Sequence, residues 1–310
     1  MRRVLLTGAG GMLARDLHRA FGDVEVVALT RAELDITDAA AVTATVDAIR
    51  PDVLLNTAAW TDVDGCEGDP ARAELVNATG AHHLAVACAR TGATLVTYST
   101  DHVFDGVPPP AASGPVAATG PVAATGLPGT DDGPRGYREE DPVGPVNAYG
   151  RSKVRGEELV RGAVERHLII RTAWLAGARG RSFVATMLRL GRDGVAIRVV
   201  DDQTGCPTFA RDLATATRRL VDQDRTGTVH VVNDGRCTWF DLAAATFAQA
   251  GMSVDLAPQP SSALERPAAR PAWSVLDTAL ARAWDLAPLP AWEDGLARLL
   301  AELGVTGPRP

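Results

Sequence analysis

Two side chains one helical turn apart offer proton-transfer chemistry in this 310-residue chain: Tyr149 and Lys153, in Tyr149-Gly150-Arg151-Ser152-Lys153. A spacing of four puts both on one face of a helix. There an ammonium favours the phenolate and draws the tyrosine pKa toward working pH. Such a tyrosine can give a proton to a carbonyl oxygen while hydride arrives at the carbon. Taken alone, the spacing is equally that of a helix-surface pair. Thr100 adds weight. It lies in Ser99-Thr100-Asp101, at the end of the β-branched run Thr94–Tyr98, where doubly wound sheets take their ligands. A hydroxyl there can hold the carbonyl for the tyrosine, although threonine also simply ends strands well.

A second constellation could hold a nucleotide. Thr7-Gly8-Ala9-Gly10-Gly11-Met12-Leu13-Ala14 follows an apolar run, Val4–Thr7, and opens a helical pattern, Met12–Phe21. Gly8, Gly10 and Gly11 allow a tight turn that brings backbone N–H groups, with those of Met12 and Leu13, to a pyrophosphate. The next strand, Val24–Leu29, ends in Thr30-Arg31 and not in an acidic residue. A hydroxyl and a guanidinium suit a ribose 2′-phosphate better than a 2′-hydroxyl, which favours NADPH and leaves NADH open.

These groups need a frame. Apolar runs at Val4–Thr7, Val24–Leu29, Val53–Asn56, Thr94–Tyr98 and His167–Arg171 read as buried strands. Helices are expected over Met12–Phe21, Ala71–Arg90 and Asn147–Arg166. That alternation predicts an α/β fold with a Rossmann-type doubly wound parallel sheet. Beyond it the pattern weakens, with strands near Ile197–Val200 and Thr228–Val232. Helices follow near Arg211–Val221, Thr238–Ala250 and Pro290–Leu303, around a Pro-rich Pro258–Pro271. We read 1–171 as an NADP-binding domain and 172–310 as a smaller, partly interleaved substrate-binding lobe. Residues 107–136, with Pro108-Pro109-Pro110 and a duplicated Gly-Pro-Val-Ala-Ala-Thr-Gly, read as a flexible insertion.

Composition narrows the partners. With 31 Lys+Arg against 38 Asp+Glu, the formal charge is −7, and no basic block appears, which argues against a nucleic-acid surface. Cys66, Cys88, Cys206 and Cys237 are scattered with no Cys/His clustering, so neither zinc nor a disulfide framework is expected. No apolar run approaches membrane-spanning length and no signal peptide is evident, so a cytoplasmic location is expected.

In order along the chain, the Gly motif, Asn56-Thr57-Ala58-Ala59, Ser99-Thr100-Asp101 and Tyr149-x-x-x-Lys153 resemble the extended short-chain dehydrogenase/reductases. More narrowly, the chain resembles the dTDP-4-dehydrorhamnose reductase and dTDP-dihydrostreptose synthase family. That likeness rests on Leu34–Asp38, Asn56–Glu67, Ser99–Gly106, Asn147–Glu157, Asp202–Thr208, Ala269–Pro271 and Ser274–Asp277, nearly the whole chain outside 107–136.

The resemblance implies NADPH-dependent reduction of the C4 keto group of a dTDP-4-keto-6-deoxy-L-hexose, in the rhamnose or dihydrostreptose step. It makes Thr100, Tyr149 and Lys153 the catalytic trio. It places Asp35 and Ile36 at the adenine, and Ala58, Ala59 and Thr61 along the cofactor cleft. Thr100, Asp101, His102 and Trp174 fall at the sugar, and Asp202, Gln203, Pro207 and Thr208 between the lobes. A homodimer is compatible with it. Some relatives carry magnesium at a subunit interface, but no acidic cluster here calls for a metal. His102 stands where these reductases usually carry Tyr, and the insertion borders the active-site mouth; both bear on sugar specificity. A dehydratase or epimerase of the same fold is the first alternative, but dehydratases follow the threonine with Asp-Glu, and this chain has Asp101-His102. A non-catalytic NADP-binding regulatory subunit is the second, against which the intact Thr-Tyr-Lys set argues.

Overall fold

Short apolar runs joined by helices bury both faces when they form a parallel sheet covered on each side. In the computed structural model, which describes residues 2–110 and 134–305, that sheet has six parallel strands. They are β1 (Arg3–Thr7), β2 (Glu25–Leu29), β3 (Val53–Asn56), β4 (Thr94–Thr100), β5 (His167–Thr172) and an edge strand, Gly227–His230. Across the sheet the order is 227–230, β5, β4, β3, β1, β2. The chain therefore turns one way from β1 to β2 and the other way from β1 to β3. Ligands of doubly wound sheets bind at the carboxyl ends beside such a switch point.

The period of two along each strand sorts side chains into two layers. Val4, Leu6, Leu55, Val96 and Ile170 pack with α1 (Met12–Ala20) and with a later helix, Ala210–Asp222. Leu5, Leu54, Leu95 and Ile169 pack on the other face. There they meet α2 (Ala39–Ile49), α5 (Gly80–Thr91) and α6 (Ala148–Ala163), with the short helices α3 (Val63–Gly68) and α4 (Pro70–Glu74) ahead of α5. Beyond β5, a separate core of Val184, Leu188, Phe209, Leu242, Trp292 and Leu296 joins helices Phe183–Arg192, Trp239–Gln249 and Trp292–Glu302. Helix Ala210–Asp222 and strand Gly227–His230 come from this later part of the chain yet complete the main sheet's layers.

Several elements differ from the sequence reading. The single helix expected over Ala71–Arg90 starts at Pro70, capped by Asp69, and widens to a π-turn over Leu75–Thr79 before α5. Helix α2 gave no amphipathic signal because its Ala/Val/Thr surface lacks a polar face; its one cue is Asp38, whose carboxylate accepts from Ala40 and Ala41 N–H. Helix Phe183–Arg192, capped by Ser182, was also missed, although Val184, Met187 and Leu188 fall at helical spacing on its buried face. Leu256–Gln259 forms a strand despite Pro258, which a two-stranded pairing with Ile197–Val200 tolerates because one side of each strand is an edge. Of the insertion expected over 107–136, residues 111–133 lie outside the described residues. Its base is closed by Tyr137, whose hydroxyl donates to Asp105 Oδ1 (2.6 Å) or the Val107 carbonyl (2.7 Å), and whose ring stacks on Phe104.

Candidate active site

The β1–α1 turn is built from missing side chains. Gly8 has φ +72°, and a Cβ there would sit 2.7 Å from Ala58 N, so the loop after β3 presses directly on the turn. Gly10 and Gly11 are exposed, and Gly11 offers no side chain to cap α1, whose first turn carries no acid. First-turn N–H groups left uncapped at a positive helix end suit a phosphate. These residues therefore fit a dinucleotide, with the backbone of Gly10, Gly11, Met12 and Leu13 as the expected holders. The Leu13 side chain itself is core (5% exposed), and that of Met12 packs toward Gly177.

Asn56 ties this edge together. Its Oδ1 accepts from Thr7 Oγ1 (2.8 Å) and Ala58 N (3.1 Å), while its Nδ2 donates to Thr97 Oγ1 (3.3 Å). Ala59 and Thr61 are exposed just beyond. At the end of β2 the picture departs from expectation. Thr30 gives both its N–H and its hydroxyl to Glu33 Oε2 (2.8 and 2.7 Å), so its donors are not turned to a phosphate. Arg31 is the solvent-facing cation there, with a loose 3.4 Å contact to Asp35. Asp35, a partly exposed carboxylate, is occupied by the Thr37 N–H and hydroxyl, and Ile36 is buried beneath Gly80.

The expected trio comes together. Thr100 ends β4, and Tyr149 and Lys153 lie on the buried face of α6. Helix α6 approaches the strand end closely because residue 150 is glycine: a Cβ there would collide with the His102 carbonyl. Lys153 Nζ donates to the Tyr98 carbonyl at 2.6 Å. Burial pulls its pKa down to about 8, with Glu157 opposing. The expectation for Tyr149 is overturned. Burial pushes the phenol well above its ordinary range; Thr100 pulls the other way, and Asp101 adds to the rise. Helical spacing is silent about desolvation, which is the largest influence on the phenol here. Asp101 is 2% exposed; its Oδ1 accepts from Thr100 Oγ1 (2.9 Å), and its Oδ2 has no partner among the described residues.

The surroundings of His102 and Trp174, expected at the sugar, are assembled from distant partners. The His102 ring meets Tyr149 edge-on at 5.6 Å. Burial lowers its pKa, and Asn147 Nδ2 lies 3.0 Å from its Nδ1. An amide donor at Nδ1 leaves the proton of a neutral imidazole on Nε2. Asn147 also caps α6 through Gly150 N–H and reaches the Ala269 carbonyl, holding helix, histidine and C-terminal segment at once. Trp174 follows Thr172, the sheet partner of Thr100. It sits at φ +45°, a conformation that costs a non-glycine residue about 1–3 kcal/mol and clusters at functional sites. Its indole stacks on Trp239 at 3.6 Å and 7°. Further along, Gln203 Nε2 donates to Ser261 Oγ (2.7 Å), Asp202 accepts from Ser261, and Thr208 is fully buried.

Sequence reasoning missed Asn147, Trp239 and Asn77. Asn77, in the π-turn, accepts from Trp60 N–H and donates to the Trp60 carbonyl or to Ser152 Oγ, linking the post-β3 loop to α6. π-turns recur at functional sites. One signal was available for Lys153: of the 31 lysines and arginines in the chain, it is the single lysine. Elsewhere arginine supplies the positive charge; at 153 a compact ammonium with an adjustable pKa stands instead. Among the described residues no group of three or more His, Cys, Asp or Glu is placed to hold a metal.

Comparison with known proteins agrees with this geometry. Residues 1–305 match the family described as RmlD substrate binding domain. A dTDP-4-dehydrorhamnose reductase of Streptomyces griseus is 41% identical, covering 99% of this chain and 96% of the relative. A dTDP-4-keto-6-deoxy-D-glucose reductase of Streptomyces niveus is 37% identical over 96% of each. The crystal structure of the Bacillus anthracis dTDP-4-dehydrorhamnose reductase in complex with NADP superposes with a TM-score of 0.87, at 36% identity, over 97% of this chain and 100% of the other. This chain belongs to the dTDP-4-dehydrorhamnose reductase family.

Proposed function

We propose that the protein reduces the C4 keto group of a dTDP-linked 4-keto-6-deoxyhexose, with NADPH as reductant. The observation that carries this reading is the meeting of Thr100, Tyr149 and Lys153 at the carboxyl edge of the sheet, beside a helix N-terminus left open for a dinucleotide. The relatives' named activities, on dTDP-4-keto sugars, supply the substrate class.

Bound NADPH supplies a hydride to the keto carbon. The Gly10–Leu13 backbone holds the pyrophosphate, Arg31 faces the 2′-phosphate, and Asp35, Ile36, Ala58, Ala59 and Thr61 form the cleft wall. Thr100, turning its hydroxyl proton from Asp101 Oδ1 to the keto oxygen, orients the substrate carbonyl. Tyr149, kept protonated by burial, gives its proton to that oxygen as negative charge develops there. The phenolate left behind is stabilised by the Lys153 ammonium, which also reaches the ribose. A phenol that holds its proton firmly at neutral pH is suited to this direction: it yields only to an alkoxide. Trp174 offers a rigid apolar face to the sugar ring, and His102 an N–H donor beside Tyr149. We assign 172–310 as the substrate-binding lobe, and take the protein to act in the cytoplasm, without nucleic acid, as a homodimer. Among the described residues no helix is long and apolar enough to cross a membrane.

Isotope tracing tests the reaction. Of NADPH deuterated at C4 on one face and NADPH deuterated on the other, a single one should deliver one equivalent of deuterium to C4 of the dTDP-deoxysugar, with none at C3 or C5 from either. Label exchange at C3 or C5 from solvent without net NADPH consumption would point to an epimerase instead.

A further inference from the structure

Lys153 is only partly explained by Tyr149. Three residues on the buried face of α6 follow at intervals of four: Tyr149, Lys153 and Glu157, at 9%, 8% and 2% exposure. Opposite them lie successive residues of β4. Thr100 faces Tyr149, the Tyr98 carbonyl accepts from Lys153, and Ser99 lies beside Glu157. Glu157 is gripped in turn. Its Oε1 accepts from Arg171 Nε (2.9 Å), and its Oε2 from Arg171 Nη2 (2.7 Å) and Arg161 Nη1 (3.1 Å). Arg171 belongs to β5, is 3% exposed, and is the sheet partner of Ser99.

A buried ion pair generally gives no more stability than apolar residues of the same volume, because both charges must be desolvated. Stability is therefore a poor reason for this one. Resting on the reductase reading for its purpose, we propose that Glu157, clamped by Arg171, is a positioning residue for Lys153: its carboxylate keeps the buried ammonium charged and fixes its reach along β4. The bidentate grip pins α6 to β5 one turn beyond Lys153, which sets where Nζ meets the Tyr98 carbonyl. Burial alone drives Lys153 toward the neutral amine, and Glu157 is the charge that opposes this. The other charged or titratable groups packed around this stretch are Tyr149 and Arg161 on α6, Arg171 on β5, Asp101 and His102 beyond β4, Cys66 from α3, His230 on the edge strand, and Glu139, whose carbonyl accepts from Arg171. Burial and the hydrogen bonds of Arg171 oppose each other at Glu157; the arginine prevails and holds the carboxyl below its ordinary range, so it carries its negative charge at neutral pH.

The single lysine makes the test direct. In full-length protein labelled with ζ-15N,ε-13C-lysine, one side-chain resonance reports Lys153, and no substrate is needed. The wild-type midpoint should lie near pH 8. Glu157→Gln alone would strand a buried guanidinium, so the informative variants are Glu157→Gln/Arg171→Met and Glu157→Asp. The double variant should lower the midpoint by about one unit, with the alkaline limb of kcat/KM moving the same way. Glu157→Asp keeps both the carboxylate and Arg171, and should leave the midpoint near its wild-type value. A pair that serves only to hold the fold would move both variants alike. A cooperatively melting double variant with the wild-type midpoint and the wild-type alkaline limb would overturn the proposal. The expected midpoints in a protein that reduces no keto sugar would uphold the role of Glu157 while removing the reductase reading.

Discussion

The two ends of the site are built on opposite principles. The nucleotide end, at the β1–α1 turn, works by exposed backbone and the absence of side chains: Gly8, Gly10 and Gly11 clear the space, and an uncapped helix end faces it. The proton end, where α6 meets β4, is nearly closed to water. Its groups work because burial has moved them: Tyr149 up, Lys153 down to about 8, His102 down. The first end should therefore be sensitive to added volume and indifferent to pH. The second should respond to every altered charge or proton.

Substitutions at each end sharpen that contrast. Tyr149→Phe removes one hydroxyl, adds no volume, and should lower kcat by about 10²–10⁴. NADPH affinity, read by fluorescence titration, should barely change; an unaffected kcat would take Tyr149 out of the chemistry. Gly8→Val adds volume against Ala58 in a left-handed conformation and should weaken NADPH about 10–100-fold. The same loss at every pH from 6 to 9 is expected, and a pH-dependent loss would erase the distinction between the two ends. Trp174→Ala should raise the KM for the sugar nucleotide about tenfold, because an aromatic platform and its Trp239 stack are lost together. The double variant with Trp239→Ala should cost less than the sum of the two.

Arg31→Asp should weaken NADPH by about tenfold while leaving NADH nearly untouched, since only the phosphate needs the cation. Equal losses would mean that Arg31 never meets the 2′-phosphate. The smallest effect is the wild-type pH profile. Lys153 has a lowered pKa, so its charge is present below about pH 8 and is lost as pH rises through it. Activity should fall about twofold by that point. Tyr149, raised above its ordinary range, stays protonated there and cannot be the group that titrates.

The parts legible in the sequence share a property: their chemistry lies in short contiguous motifs. Gly8–Ala14, Ser99-Thr100-Asp101 and Tyr149–Lys153 each declare a local shape, and the alternation of strands and helices declares the sheet that unites them. What stayed hidden depends on pairs far apart in the chain. His102 is pinned by Asn147, Trp174 is stacked on Trp239, and Asn77 reaches Ser152. The Tyr149 pKa was misjudged for a related reason. A helical interval shows that an ammonium is near, but the depth of burial is set by β4, β5 and the 3-10 turn at 101–103, which only the fold brings together. Helix α2 escaped because its exposed face carries Ala40, Ala44 and Ala48 in place of polar residues, so hydropathy does not separate it from the buried Val42 and Val46.

The most direct measurement is the initial rate of NADPH oxidation by the purified protein. Its arms are dTDP-4-dehydrorhamnose, other dTDP-4-keto-6-deoxyhexoses, and the same sugars carried on UDP or GDP, with products identified by NMR. Turnover of a dTDP-4-keto-6-deoxyhexose to its C4 alcohol, well above the rate with the UDP and GDP forms, is the expected result. NADPH binding with no oxidation in any arm, or equal rates across all three nucleotides, would contradict the assignment.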